Sequence, residues 1–195
     1  MRTISIIIVF LSIVQNVNGQ SIDNKQKVIQ ITSDSCRIWN LPLVDFQVEI
    51  PYELAIEYNS SGGFYFQARE LDSNKNIKAE ISLGRVEGSI DEIEYMNVLA
   101  DANESLQNAL KEFEADYWLI SINKELIGKT EYSVLKIRIN VTIPGMFEGD
   151  YYGVIVPIKL KDGLVMLSSV ISADYKLDER NGIPIMINDV IESIK

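Results

Sequence analysis

The sequence predicts an α+β protein in which an antiparallel β-sheet has one long mid-sequence helix and a short C-terminal helix packed on it. Most of the chain from residue 43 onward alternates apolar and polar side chains with a period of two, which is typical of half-buried strands. Residues 91–117 instead repeat their apolar side chains at spacings of three, four and seven, the pattern of an amphipathic helix. Short polar turns separate neighbouring strand patterns, which favours antiparallel pairing.

The first strand patterns lie before the long helix. Phe46–Ile50 alternates apolar and polar residues, and we expect it to end at Pro51 because proline cannot donate to a ladder. Phe64–Leu71 and Ile77–Leu83 are two further alternating runs, joined by the short polar segment Asp72–Asn76. Two such runs around a short Asp/Asn-rich connection predict an antiparallel hairpin.

Two helices are predicted, one over Asp91–Tyr117 and one after the turn dipeptide Asn181-Gly182. Ser89 and Glu92 have the spacing of a capping box at the start of the long helix. The apolar residues expected to form its buried stripe are Ile93, Met96, Leu99, Leu106, Leu110, Phe113 and Tyr117. The expected stripe of the short C-terminal helix is Ile183, Ile187, Val190, Ile191 and Ile194.

The strand patterns that follow the long helix are Trp118–Ile122, Tyr132–Ile143, Tyr152–Leu160 and Leu164–Ala173. In the second of them we expect Lys136, Arg138 and Asn140 to point outward. The last two are separated by Asp162-Gly163, a typical hairpin dipeptide. The last pattern is apolar on both faces, which predicts a central position in the sheet.

The N-terminal residues have the pattern of a secretory signal peptide. Arg2 provides a positive charge, and Ile4–Val14 is an apolar run too short for a comfortable membrane span of roughly 20 residues. We expect cleavage near Gly19-Gln20, so that residues 1–19 are removed and the protein is secreted or periplasmic. The alternatives are an uncleaved anchor or a buried N-terminal strand. Residues 20–42 are then predicted to be a flexible lead-in, and residues 43–195 a single domain.

The composition excludes several classes of function. The chain of 195 residues contains no histidine, which excludes Ser-His-Asp and Cys-His nucleophiles and zinc sites that use imidazole. Its single cysteine, Cys36, excludes an intrachain disulfide. We expect this thiol to be buried, the alternative being a bond to a second chain. A formal charge of −10 argues against nucleic acid and anionic lipid as main partners.

Three segments of the chain resemble the PsbP-like superfamily, which includes extrinsic photosystem II subunits, a Ran-binding nuclear-import factor and many secreted bacterial proteins. They are the opening strand Phe46–Pro51, the strand start formed by Ile127-Gly128 with Tyr132, and the closing helix Met186–Lys195. The resemblance implies the same series of elements, in an exported member of bacterial type. Members of the superfamily usually have an aromatic residue three positions after the proline of the opening strand. Here the aromatic residue, Tyr52, follows Pro51 directly. Members of this superfamily perform unrelated functions, so the resemblance implies a fold and not an activity.

Acidic residues of the long helix are the most conspicuous candidate binding site. The residues expected to form this acidic face are Asp91, Glu94, Asp101, Glu104, Glu112 and Asp116. The simplest interpretation is a solvated face that keeps an exported protein soluble. The functional interpretation is a docking surface for a basic protein partner, or a weak cation site.

Aromatic residues are a second candidate. Among those near strand ends, we expect Tyr65 and Tyr151 to be exposed and able to stack a ligand. Asp72–Asn76 resembles the opening of a calcium loop, but Ile77 and Leu83 replace the glycine and glutamate that such a loop requires, so a hairpin turn is the better interpretation.

We therefore predict an exported acidic domain with a binding or accessory function, an unknown protein partner and no membrane span after cleavage. No catalytic residue, cofactor or metal site is predicted. One alternative is a hydrolase that uses carboxylates such as Glu125, Glu131, Glu148 and Asp150, which the sequence does not place at a defined separation. Another is a structural component of the cell envelope that oligomerises through Cys36.

Overall fold

The computed structural model describes residues 27–59, 63–86, 94–143 and 147–195. The described residues form nine strands and three helices, an α+β architecture as the sequence predicts. In chain order the elements are β1 (Lys27–Ile31), α1 (Ser33–Trp39), β2 (Phe46–Ile50), β3 (Ala55–Tyr58), β4 (Phe64–Leu71), β5 (Ile77–Arg85), α2 (Tyr95–Lys111), β6 (Asp116–Ile127), β7 (Thr130–Ile143), β8 (Phe147–Lys159), β9 (Leu164–Ser172) and α3 (Ile185–Ser193).

Seven of the strands form one antiparallel sheet in the order β3-β4-β5-β9-β8-β7-β6. The hairpin of β4 and β5 is confirmed, and so is the central position of β9, which lies between β5 and β8. A strand that has neighbours on both edges and packed layers on both faces buries nearly all its side chains, which explains its continuous apolar run. The opening strand β2 does not join this sheet but pairs with β1 in a separate two-stranded sheet.

The prediction of a flexible lead-in over residues 20–42 is wrong for residues 27–42. Strand β1 pairs with β2 from Lys27 opposite Ile50 to Ile31 opposite Phe46. Helix α1 follows, with the hydroxyl of Thr32 accepting the N–H of Ser35 at 3.2 Å. These elements are part of the core, and Cys36 is fully buried, as predicted. Residues 20–26 lie outside the described residues.

Helix α2 is shorter than predicted. It ends at Lys111, the backbone of Glu114 takes a φ of +53° that no α-helix tolerates, and strand β6 begins at Asp116. Tyr117 continues the helical spacing of the residues before it, but it also opens a run of aromatic and branched residues that favours a strand. Pairing with β7 determines that Tyr117 belongs to a strand and not to the helix. Asp91, Ile93 and the capping box at Ser89 and Glu92 lie outside the described residues.

The large sheet has a different cover on each face. On one face, which we call the helix face, Leu99 and Leu106 of α2 pack on Ile137 and neighbouring apolar residues of β7 and β8. On the other face, which we call the terminal face, Ile187 and Val190 of α3 pack with β1 and β2 in one buried cluster. The two faces alternate along each strand, so the same strands supply both clusters.

The prediction that Lys136 of β7 points outward is wrong, and the residue lies on the terminal face. It was expected to point outward, yet it is 9% exposed. Its ammonium donates to the backbone carbonyl of Asn181 at 2.6 Å and forms an ion pair with Glu125 of β6. The segment that leads into α3 therefore covers this part of the sheet, which the alternation within β7 cannot reveal.

Candidate binding surface at the edge of the sheet

Strand β6 forms one edge of the large sheet and exposes apolar side chains there. Trp118, Leu119 and Ile120 are consecutive, and they are 48%, 48% and 50% exposed. An apolar run on an exposed sheet edge is uncommon, because such edges invite pairing with other chains. We call these three residues the edge strip. Its position makes it the leading candidate for a functional surface among the described residues.

A β-bulge lies within the edge strip. Leu119 is opposite Ile137 of β7, but the next paired residue of β6 is Ser121, opposite Lys136, so Ile120 has no partner on β7. A bulge increases the local twist and interrupts the regular row of backbone groups along an edge. It also shifts the alternation of β6, because Leu119 is opposite Ile137 whereas Ser121, two residues later, is opposite Lys136 on the other face of β7.

Two rows of side chains extend from the edge strip across the terminal face. Pairing places Trp118 opposite Arg138, and Arg138 opposite the half-buried Tyr152 of β8. Residues that are directly opposite in antiparallel strands lie about 5 Å apart, so these side chains form one continuous row. The second row consists of Asp116, Asn140 and Asp150, which are opposite one another in the same way. We call these six residues the open rows.

The open rows begin where the cover of the terminal face ends. Lys136 lies two residues from Arg138 on the same face of β7, and it is buried beneath the carbonyl of Asn181. The side chain of Arg138 is 46% exposed. The boundary between covered and open sheet therefore falls between these two residues, and the open rows face solvent beside the edge strip.

Polar contacts fix the side chains of the open rows. Asp150 accepts a hydrogen bond from the Asn140 amide at 3.1 Å and one from the Arg138 guanidinium at 3.2 Å. These two donors hold the pKa of the Asp150 carboxyl below its usual range, so the carboxylate stays charged well into acid. The ion pair with Asp150 also restrains the guanidinium of Arg138.

The structure distributes the predicted acidic face over two elements. Glu94, Asp101, Glu104 and Glu112 are exposed on α2 or at its ends, whereas Asp116 is exposed on β6. At 100° per residue, Glu94, Asp101 and Glu112 fall on one stripe, and the stripe is roughly 27 Å long at 1.5 Å per residue. The helix therefore has a line of acids and not a convergent site. Asp91 lies outside the described residues.

The predicted exposure of Tyr65 and Tyr151 is wrong, since the two residues are 0% and 3% exposed. The Tyr65 hydroxyl donates to the carbonyl of Pro42 at 3.0 Å, and its ring packs edge-on against Phe46. The Tyr151 hydroxyl accepts the N–H of Glu148 at 2.9 Å. Burial raises the pKa of both phenols. Both rings are buried, so neither is available to stack a ligand.

Two small cavities lie beneath α2. One has a volume of about 10 Å³, the space open to the centre of one water molecule, and is lined by Glu80, Ser168 and apolar residues including Leu106. The other, about 20 Å³, has an entirely apolar lining from α2, β7 and Phe147. Neither holds two carboxylates, so neither meets the geometry that the hydrolase alternative requires.

The carboxylates buried in the described sheet are ion-paired. Glu80 contacts the guanidinium of Arg69 at 2.6 Å, and burial raises its pKa despite that neighbour. Within the described ranges, no group of three or more cysteine, aspartate or glutamate residues is placed to hold a metal ion. Asp72 instead accepts the N–H groups of Asn74 and Asn76 at 2.8 Å each, closing the hairpin turn between β4 and β5. This confirms the turn interpretation of Asp72–Asn76.

No helix in the described parts of the chain is both long enough and apolar enough to cross a membrane.

The edge strip itself was not predicted as a site. The sequence shows Trp118, Leu119 and Ile120 as part of a strand pattern, and only the strand order reveals that this strand is an edge. A run of three large apolar residues in a strand that otherwise alternates is the one signal the sequence offers.

Comparison with known structures agrees with the resemblance found in the sequence. The solution structure of cyanobacterial PsbP (CyanoP) from Synechocystis sp. PCC 6803 matches with a TM-score of 0.57 and 11% sequence identity. The match covers 93% of this chain and 97% of that chain. No protein-family model and no curated protein sequence matches this chain. The comparison confirms a PsbP-like fold, and at this identity it concerns the fold alone.

Proposed function

We propose that this chain, which has a PsbP-like fold, is an exported accessory domain that binds a protein partner through its edge strip and open rows. The observation that carries the proposal is the exposure of Trp118, Leu119 and Ile120, each close to one half, on an edge strand. Contiguous exposed apolar residues rimmed by polar ones are typical of protein interaction sites. The role is binding and not catalysis.

The composition of the surface supports a protein as the partner. Tryptophan, tyrosine and arginine are the residues that most often dominate the binding energy of protein interfaces. Here Trp118, Arg138 and Tyr152 lie side by side in one row. Arg138 is already oriented by Asp150, so little side-chain entropy is lost when a partner binds. Such an arrangement suits an apolar anchor from the partner at Trp118 and hydrogen bonds around it.

The bulge at Ile120 favours docking of side chains over addition of a strand. A partner strand that extended the sheet would need a regular row of free backbone groups along β6. The register shift between Leu119 and Ser121 interrupts that row in the middle of the edge strip. We therefore expect the partner to contact the exposed side chains and not to continue the sheet.

Export is the second part of the proposal, and it is supported by the charge and apolar pattern of residues 1–19. We expect the protein recovered from its native compartment to begin at or near Gln20. Intact-mass measurement of that protein is the test. Recovery of a chain that still begins at Met1 would contradict export by cleavage.

The test of partner binding compares two surface variants of the full-length protein. Trp118→Ala combined with Ile120→Ser removes most of the edge strip, and Ile38→Ser removes a side chain that is 82% exposed on α1. We expect the edge-strip variant to bind the partner isolated with the wild-type protein at least tenfold more weakly, as for loss of a central aromatic anchor. The Ile38→Ser variant should bind as the wild type does. Equal binding by all three proteins, each shown to be folded by its urea midpoint, would contradict the proposal.

A further inference from the structure

We infer that the partner surface is apolar at its centre and positively charged at its rim, an inference that rests on the proposed binding role of the edge strip. The reason is an excess of negative charge beside the strip. The residues that lead into it include Glu112, Glu114 and Asp116, and all three are exposed. Residues 112–117 connect the end of α2 at Lys111 to Trp118, so these carboxylates lie on the segment that leads directly into the strip.

The basic residue next to these carboxylates in the sequence is Lys111, whose ammonium donates to the side-chain oxygen of Asn108 at 3.2 Å. None of the three forms an ion pair within the described parts of the chain. Glu114 has a left-handed backbone, with a φ of +53°, at the point where α2 gives way to β6. The chain therefore turns here, and Glu112, Glu114 and Asp116 are exposed before, at and after the turn. Their charge is available to a partner that contacts Trp118.

The basic residues of β6 and β7 are already engaged. Lys124 contacts Glu131 at 3.0 Å, and Arg138 contacts Asp150 at 3.2 Å. The only other lysine or arginine of these two strands is Lys136, which is buried against Glu125. Each of these three cations thus has an acid of its own. The exposed Lys111 at the end of α2 offsets one of the three acids that precede the strip, so the net charge of residues 111–116 is still negative.

An apolar patch with unpaired acids at its margin selects its partner by charge. Opposite charges at the rim steer association and fix orientation, whereas like charges placed together oppose binding. Lysine or arginine near an apolar anchor satisfies both parts of this surface at once. An acidic partner would place like charges beside Asp116. The structure thus favours a basic protein segment that also carries large apolar side chains.

The test uses Trp118 as its own reporter. The chain has two tryptophans, so the variant Trp39→Phe leaves Trp118 as the single tryptophan in the full-length protein. The probes are four synthetic peptides of equal length that alternate Leu with Lys, Leu with Glu, Leu with Ser, or Ser with Lys. We expect the Leu–Lys peptide to give a saturable blue shift of Trp118 emission, because apolar contact removes water from the indole. The other three should bind at least tenfold more weakly, and added salt should weaken the Leu–Lys complex.

Two matched sets of charge variants test which acidic residues attract the Leu–Lys peptide. In the same Trp39→Phe background, Glu112→Gln, Glu114→Gln and Asp116→Asn together remove the three acids beside the strip. Glu94→Gln, Asp101→Asn and Glu104→Gln together remove three exposed acids from α2. We expect the first set to weaken the Leu–Lys peptide by about tenfold, as for three exposed ion pairs, and the second by less than about twofold.

The outcomes separate this inference from the proposed function. Equal weakening by both variant sets would show that the attraction is a diffuse property of an acidic protein, and it would overturn the inference. So would tight binding of the Leu–Glu or Leu–Ser peptide, or the absence of any response to the Leu–Lys peptide. In each of these cases the proposed binding role still stands or falls separately, on the loss of partner binding in the edge-strip variant.

Discussion

Two ion pairs on the β6–β7 hairpin show how burial determines what an ion pair contributes to the stability of the fold. The side chains of Lys136 and Glu125 are 11% and 14% exposed, whereas those of Lys124 and Glu131 are 63% and 60% exposed. A buried ammonium that loses its partner keeps its desolvation cost, but an exposed one regains water. The same substitution should therefore have very different effects at the two glutamates.

Glu125→Gln should lower the free energy of unfolding by about 3 kcal/mol, because it leaves the buried Lys136 ammonium without a neutralising carboxylate. Glu131→Gln, the matched control on the facing strand, should lower it by less than about 1 kcal/mol. Urea unfolding of the two variants measures both values. Similar losses in the two variants would contradict the structural role of the buried pair.

Tyr175 predicts a loss of stability in alkali. Burial and the hydrogen bond to Glu70 raise the pKa of its phenol to about 12, against about 10 in an unfolded chain. Between these values the unfolded chain releases the proton and the folded protein keeps it, so unfolding becomes easier as the pH rises. The contribution is complete below about pH 10 and is lost toward pH 12.

Tyr175→Phe should therefore flatten part of the fall in the urea midpoint between about pH 10 and about pH 12. The remainder comes from other phenols, since the pKa of Tyr117 is also raised to about 12 by burial. Comparing the slope of the midpoint against pH for wild type and variant tests this. An identical slope in the two proteins would show that Tyr175 titrates as in the unfolded chain.

At the scale of elements, α2 is held by a narrow buried stripe. Leu106 is 1% exposed and lines the smaller cavity beneath the helix, while Leu126 of β6 is 64% exposed. Leu106→Ala should lower the free energy of unfolding by about 2–5 kcal/mol, because it enlarges an existing void that the sheet below cannot fill. Leu126→Ala should cost less than about 1 kcal/mol. Urea unfolding again measures both, and a small loss at Leu106 would mean that α2 is not firmly packed.

The elements that the sequence predicts well are those whose signals are local. The β4–β5 hairpin and β9 were predicted to within two residues at each end, because a period of two and a polar turn define them without reference to the rest of the chain. The end of α2 was predicted wrongly, since Tyr117 fits a helix and a strand equally well and only pairing with β7 decides between them.

The errors in the candidate site have a non-local cause. Tyr65 follows an alternating pattern, but the backbone segment at Pro42 covers its ring, and a register irregularity between Phe64 and Phe66 changes the direction of the strand. The edge strip was missed for the converse reason. Exposure of Trp118 depends on β6 having a single neighbour, which is a property of the strand order and not of β6 itself.

At the scale of the whole molecule, the N-terminal elements complete the core. Ile29 and Ile31 of β1 and Cys36 of α1 belong to the same buried cluster as α3, so both ends of the described chain pack on the terminal face. The C-terminal residue also pairs with β2, where Gln47 and Lys195 exchange backbone hydrogen bonds at 3.0 Å. Residues 27–42 are thus needed for the core to close.

Burial of Cys36 predicts that the protein does not form a disulfide-linked oligomer. The thiol is fully buried and donates to the carbonyl of Val44 at 3.6 Å, out of reach of a second chain. Electrophoresis without reductant should show a monomer band, and thiol reagents should label Cys36 only after unfolding in urea. A dimer band that disappears on reduction would instead support the alternative of a structural envelope component.

The binding surface arises from how the whole sheet is covered. Helix α2 protects one face, and α3 with the two-stranded sheet protects the other as far as Lys136. Strand β6 extends past that cover at the edge of the sheet. The edge strip and open rows are the result, and their exposure follows from the fold and not from any one side chain.

Site-specific photo-crosslinking tests the binding role of the edge strip most directly. A photoreactive amino acid replaces Leu119 in one form of the full-length protein and Ile38 in another, and each form is irradiated in the cells that normally produce it. We predict a discrete crosslinked protein species from position 119 and none from position 38. Crosslinking from position 38 alone, or from neither position, would contradict the assignment of the edge strip as the partner-binding surface.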